Sequence, residues 1–203
     1  MEQAEILSVI STTLHTLIHD YLGMVIPERH IVFSSPADSD TTSVPKLLIY
    51  LYNVTDNPYL KNDTPAVPYI TPDGQANRKV QYEPSPVVVD LHYMIVPYMK
   101  ETIDEVRIVG YIKQLFSYGY LLKSAALKDE KLQHDLTHSD NCALKIIPND
   151  LSMEDVHKIW GGFPNQSYKL SLFYLVTPVR IPLGGPGGIA TRVMSLQGGY
   201  YAA

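Results

Sequence analysis

Two groups of side chains have a spacing that chemistry could use. His15 and His19 stand four residues apart, which on a helix puts both imidazoles on one face, as in a zinc protease. That motif needs a glutamate directly after the first histidine as general base, and Thr16 occupies the position. The pair therefore reads as polar-face histidines. His134, His138 and Cys142 form the second group. All three residue types bind transition metals, but a structural zinc site takes four ligands at tighter spacing. The polar surroundings, residues 128–141, read as a solvated surface loop. A metal-binding enzyme using His134, His138 and Cys142 stays as an alternative reading.

Other catalytic patterns fail on composition. No Gly-x-Ser-x-Gly elbow offers a hydrolase nucleophile. Cys142 has His138 nearby in sequence, yet no third group to orient that histidine, so it reads as a small apolar side chain. The stretch 183–188, Leu-Gly-Gly-Pro-Gly-Gly, is interrupted by Pro186 and lacks the Lys-Ser/Thr of a phosphate loop. It reads as a flexible link to a C-terminal arm. Asn53, Asn62 and Asn165 sit in glycosylation sequons, which carry no weight without an export signal. No catalytic residue, cofactor site or metal ligand is assigned, and the chain is expected not to be an enzyme.

The elements that would position any site follow from periodicity. Ile6, Val9, Ile10, Leu14, Leu17, Ile18 and Tyr21 recur at helical spacing, with Thr12, His15, Thr16 and His19 opposite, and Gly23 and Pro27 end the helix. Residues 31–33 are a short apolar run. Residues 47–54 are apolar on both faces, which suits a central strand covered on two sides. Residues 53–86 carry six prolines and almost no periodicity, so they read as a long loop of the kind that is functional or mobile. Residues 87–96 alternate, with Val87, Val89, Leu91, Tyr93 and Ile95 on one face and Asp90 and His92 on the other. Thr102 and Glu105 suggest a capping box opening a helix with a Val106, Val109, Ile112, Phe116 stripe, ended by Gly119. A short strand at 143–147 follows, then a helix opened by Ser152 and Asp155 that carries Val156, Ile159 and Trp160, and a strand at 168–179. Trp160 is expected in the core.

Length and composition bound the rest. The 203 residues suffice for one core, at 45% hydrophobic and 18% charged. A net charge of −5 disfavours nucleic acid, whose phosphates require a basic footprint. One cysteine excludes an internal disulfide. The N-terminal residues are acidic rather than basic, and no apolar run approaches the roughly 20 residues of a membrane helix; the chain is expected to be made in the cytoplasm. The unusual feature is 15 Tyr against 4 Phe, together with 15 Pro. Tyrosine joins an apolar ring to a polar tip, which suits specific interfaces.

The motifs, taken in order, resemble a known family. They are the opening helix, Phe33-Ser34-Ser35-Pro36, Leu48-Ile49-Tyr50-Leu51-Tyr52, Asn57-Pro58-Tyr59-Leu60-Lys61-Asn62, the strand Asp90-Leu91-His92-Tyr93-Met94 after Pro86, Leu151-Ser152-Met153-Glu154-Asp155 leading to Trp160, and Tyr168-Lys169-Leu170-Ser171-Leu172-Phe173-Tyr174 with Pro178-Val179. Over residues 5–182 the sequence resembles the tail-terminator or cap protein of contractile injection systems, the phage-tail-like particles of bacteria. The specificity lies in order and spacing rather than in one motif.

That resemblance implies an α+β fold of phage tail-terminator type: a single domain over residues 1–182, with a mostly antiparallel four-stranded sheet flanked by helices, and a Gly-rich C-terminal arm over 183–203. It implies a structural protein without cofactor. Copies would form a homo-hexameric ring that ends the inner tube, limits particle length and anchors the last sheath layer. The partners would be the chain itself, the tube protein and the sheath protein, with no nucleic acid and no membrane insertion, and the product would be a phage-tail-like particle. Candidate interface residues are Tyr59, Leu60, Lys61, Asn62 and Tyr69 in the proline-rich segment and Ile189, Arg192, Tyr200 and Tyr201 in the arm. The arm is expected to add a strand to a neighbour. A tail completion or connector protein of a true phage is the nearer alternative.

Overall fold

A computed structural model of the chain describes residues 5–23, 25–38, 45–60, 66–70, 76–82, 85–117, 120–164, 166–183 and 188–191, the short strands within 66–82 and 188–191 by backbone only. Helix α1 (Ile6–Leu22) forms because one row of side chains four apart, Ile6, Ile10, Leu14, Ile18 and Leu22, is apolar and buried. The flanking hydroxyls of Ser11, Thr12, Thr13 and Thr16 donate back to the carbonyl four residues earlier, which satisfies their hydrogens within the helix. The helix stops at Gly23, where a Cβ would lie 2.9 Å from the His19 carbonyl oxygen.

The chain then lays down β1 (Ile31–Phe33), β2 (Lys46–Asp56), β3 (Ala66–Ile70), β4 (Ala76–Tyr82) and β5 (Val87–Tyr98). Next come α2 (Thr102–Leu115), β6 (Tyr120–Lys123), α3 (Glu130–His138), β7 (Ala143–Pro148), α4 (Met153–Gly161), β8 (Leu172–Ile181) and β9 (Gly188–Thr191). Six strands make one mixed sheet in the order β1-β2-β5-β8-β7-β6, with β1 parallel to β2 and every other pair antiparallel. The α+β class stands, but four strands is too few. The shortfall lies at the edges: β1 and β6 span three and four residues, and β6 buries only Leu122, too little to show a period.

Both faces of the sheet are covered. Helices α1, α2 and α3 pack on the face carrying Leu47, Ile49, Leu91, Tyr93, Ile95, Tyr174 and Val176. Helix α4 covers the other with Val156 and Trp160 against Leu48, Met94, Val96, Tyr98 and Phe173. The two apolar faces read in β2 thus meet two separate layers. Trp160 is 4% exposed and its Nε1 donates to Ser171 Oγ at 3.1 Å. Ser152 caps α4, its Oγ accepting from Asp155 N.

Four other expectations need correction. Residues 128–141 are not a loop: Asp129 Oδ1 accepts from the backbone of Lys131 and Leu132 and opens α3, which buries Leu132 and Leu136. Two apolar residues in nine give little periodicity, so the N-cap was the readable signal. In α2, Thr102 makes no capping bond and Val106 is exposed; the buried row is Glu105, Ile108, Ile112 and Phe116. Glu105 turns inward because its Oε1 accepts from Lys169 Nζ at 2.7 Å. Residues 168–171 lie outside the sheet, with Lys169 bonded to Glu105 and Ser171 to Trp160, so β8 begins at Leu172 rather than Tyr168. Finally, residues 53–86 are not a single loop. β2 continues to Asp56, and β3 and β4 form a hairpin that pairs with β9 as a three-stranded sheet, β3-β4-β9. The prolines masked it, yet Pro68 lies in β3, an edge strand, beside a register shift, where its missing N–H is tolerated.

Candidate assembly surface

The histidines are distributed differently from their sequence spacing. His15 is not on a solvated face: its ring nitrogen bonds the Ile31 carbonyl at 2.9 Å and its ring lies 5.8 Å from Phe33, so it fastens α1 to β1. His19 lies beside Asp20, whose carboxylate pairs with Lys128 Nζ at 2.9 Å. His134 and His138 stand on α3, whereas Cys142 lies beyond its end, exposed. Among the described residues no group of three or more His, Cys, Asp or Glu side chains is placed to hold a metal ion.

The most built polar arrangement is where β2 leaves the main sheet. Asn57 is 7% exposed. Its amide donates to Asp90 Oδ1 at 2.9 Å and Thr177 Oγ1 at 3.4 Å, and its Oδ1 accepts from the backbone N–H of Tyr59 at 3.0 Å and Leu60 at 3.1 Å. The Thr177 hydroxyl also donates to Asp90 Oδ1, and the Asn57 N–H reaches the Val88 carbonyl. One side chain thus ties β2, β5 and β8 together and shapes the turn leading toward the β3–β4 hairpin. The product of that turn is Tyr59, 91% exposed. The ring thus stands in water on a turn that hydrogen bonds to Asn57 fix.

Beside this cluster the α4 side of the sheet turns polar. Thr55 Oγ1 bonds His92 Nε2 at 2.9 Å, and the His92 ring lies 5.8 Å from Tyr52, whose hydroxyl accepts from Asn149. Desolvation holds His92 below the usual histidine range, and the nearby Asp90 charge opposes the shift.

Of the interface candidates, Tyr59 and Leu60 stand on the Asn57 turn. Tyr69 lies in β3 and Ile189 in β9, opposite Gln81 of β4, so the fold brings residues from two distant segments into one small sheet. Lys61, Asn62, Arg192, Tyr200 and Tyr201 lie outside the described residues. Sequence reasoning missed Asn57, Asp90 and Thr177 as a unit. The Asn-Pro dipeptide at 57–58 is a turn signal and Asp90 is the lone charge in an apolar strand, but only the folded register joins them. It also missed the apolar pair Ile103 and Val106 on α2, 61% and 51% exposed.

The fold is thus a helix-backed mixed sheet with a second, three-stranded sheet, and its best-built polar cluster shapes a turn. The chain belongs to the Pvc16 N-terminal domain family, whose profile matches residues 9–188. No curated protein matches it in sequence. Its fold is similar to the sheath/tube terminator of an extracellular contractile injection system, PVC, in the extended state, with a TM-score of 0.60 and 16% identity. It is also similar to the tube-terminating cap of the anti-feeding prophage, with a TM-score of 0.57 and 17% identity. These likenesses cover 96% and 94% of this chain but 63% and 60% of the solved chains, so the chain spans less than two thirds of their length.

Proposed function

We propose that this chain is a structural, non-enzymatic cap of a contractile injection system: a ring of copies, six by the family resemblance, that ends the inner tube and holds the terminal sheath layer. The observation that carries this reading is the shared fold with two tube-terminating proteins over nearly the whole of this chain. In this reading residues 1–182 form the ring-building domain and residues 183–203 the arm. Tyr59, Leu60, Lys61, Asn62, Tyr69, Ile189, Arg192, Tyr200 and Tyr201 contribute to contacts with neighbouring copies, tube or sheath. The chain is made in the cytoplasm and becomes part of a phage-tail-like particle. A ring of identical copies needs a heterologous interface, one surface meeting a different surface of the next copy. A projecting turn such as that at Tyr59 suits one half of such a contact.

The test is the length distribution of particles, by negative-stain microscopy, with the gene deleted or intact. Overlong tubes, or sheaths that detach, are expected in the deletion. Uniform contractile particles of normal length would remove the cap reading.

A further inference from the structure

We propose that His134 and His138 form an exposed chelate for one divalent transition-metal ion of the Cu2+, Ni2+ or Zn2+ class. Helix α3 sets them one turn apart on one face, with ring centroids 5.9 Å apart and planes 10° from parallel. An ion bound to one nitrogen of each ring at about 2.0–2.1 Å would hold the two centroids roughly 4.5–5 Å apart at N–metal–N angles of about 90–109°. The helix therefore brings the rings to within about 1–1.5 Å of that separation. What remains is a turn of each ring that points its lone pair at the shared ion. His134 is free to make it, with its side chain 77% exposed, and His138 is exposed as well.

The surroundings favour a cation. The two rings share an open groove with Glu130, Gln133 and Thr137, and Glu130 stands one turn before His134 on the same face. The Asp135 carboxylate lies 3.6 Å from His134 Nδ1, on the side that leaves Nε2 to coordinate, as carboxylates behind metal-bound histidines do. With no third protein ligand among the described residues, water fills the remaining positions. Imidazole donors and open geometry select for the upper end of the divalent series, with Cu2+ bound more tightly than Ni2+ or Zn2+.

The experiment is calorimetric titration of the untagged full chain with Cu2+, Ni2+ and Zn2+ chlorides. It is run in parallel on His134→Gln, His138→Gln and, as a control, His157→Gln on α4. Saturable binding of one ion per chain is expected, weakened by about tenfold or more in either α3 variant, since loss of even a second-shell partner costs 10–100-fold. His157→Gln should bind as the parent does. Both α3 substitutions keep a polar side chain on an exposed surface, and unchanged melting temperatures without metal would show that folding is intact. Absent saturable binding, or equal affinity in His138→Gln and the parent, would overturn the proposal.

Discussion

Single side chains in this protein have opposite effects according to whether their polar atoms are paired. Tyr93 and Tyr174 are both buried in the main core, and burial pushes both hydroxyls up to about 12, with Ser11 hydrogen bonding opposing the shift at Tyr93 and the Asp150 charge adding to it at Tyr174. Tyr93 shares a 2.8 Å hydrogen bond with Ser11, whereas the Tyr174 hydroxyl is buried without a partner among the described residues. Tyr93→Phe should therefore cost about 1 kcal/mol, and Tyr174→Phe should be neutral or stabilise by about 1 kcal/mol, read from urea unfolding. Because both folded-state values lie above the ordinary tyrosine value, the stability they confer is complete below about pH 10 and lost as pH rises toward about 12. A denaturation midpoint that falls across that window, less steeply in the double Phe variant, is the expected outcome. His92 acts in the other direction. Its lowered value means that stability present above the ordinary histidine range declines as pH falls through the folded value.

Elements show where the sequence was legible and where it was not. Long elements with one apolar row, α1, β2 and β5, were readable because each buries enough side chains to display a period. Helix α4 was readable from its Ser152 cap. Helix α3, strand β6 and the β3–β4 hairpin were harder to read: α3 offers only its Asp129 cap, β6 buries one residue, prolines mask the hairpin, and part of what fastens α3 comes from elsewhere in the chain. Asn141 shows the mechanism: its amide donates to the Arg180 carbonyl and its Oδ1 accepts from the Arg180 N–H, both at 2.8 Å, fastening the end of α3 to β8 across a long stretch of sequence. The candidate surface was half legible. The Asn-Pro-Tyr turn is visible as a turn, but its buried anchor depends on the pairing of β2, β5 and β8. Asn57→Ala should lower stability by about 1–3 kcal/mol, because the Tyr59 and Leu60 N–H groups lose their acceptor and Asp90 keeps only its bond from Thr177. It should also speed amide exchange at Tyr59 and Leu60. Exchange unchanged at those two amides would show that the turn does not depend on Asn57.

At the scale of the whole molecule, the proposed assembly can be tested separately from folding. Tyr59 is almost wholly exposed in the free chain, so Tyr59→Ala should leave the melting temperature unchanged, because exposed substitutions away from special features are nearly neutral. If Tyr59 anchors a neighbour, the same change should cost about 2 kcal/mol or more in assembly, seen as a shift toward monomer in sedimentation or as particles that lose their sheath. A loss of stability equal to the loss of assembly would return the effect to the fold.

The small sheet has a kinetic consequence. Its central strand β4 hydrogen-bonds β9 through partners such as Tyr82 and Gly188, and the intervening chain contains most of the main sheet. Closing so long a loop is entropically costly until β5 and β8, which flank it, are already side by side. The β4–β9 pairing is therefore expected to form after the main sheet, an order that pulsed hydrogen exchange during refolding would read directly. In the proposed cap, the three-stranded sheet to which Tyr69 and Ile189 belong would then be completed only on chains that have already folded, so that immature copies are kept from joining a growing ring.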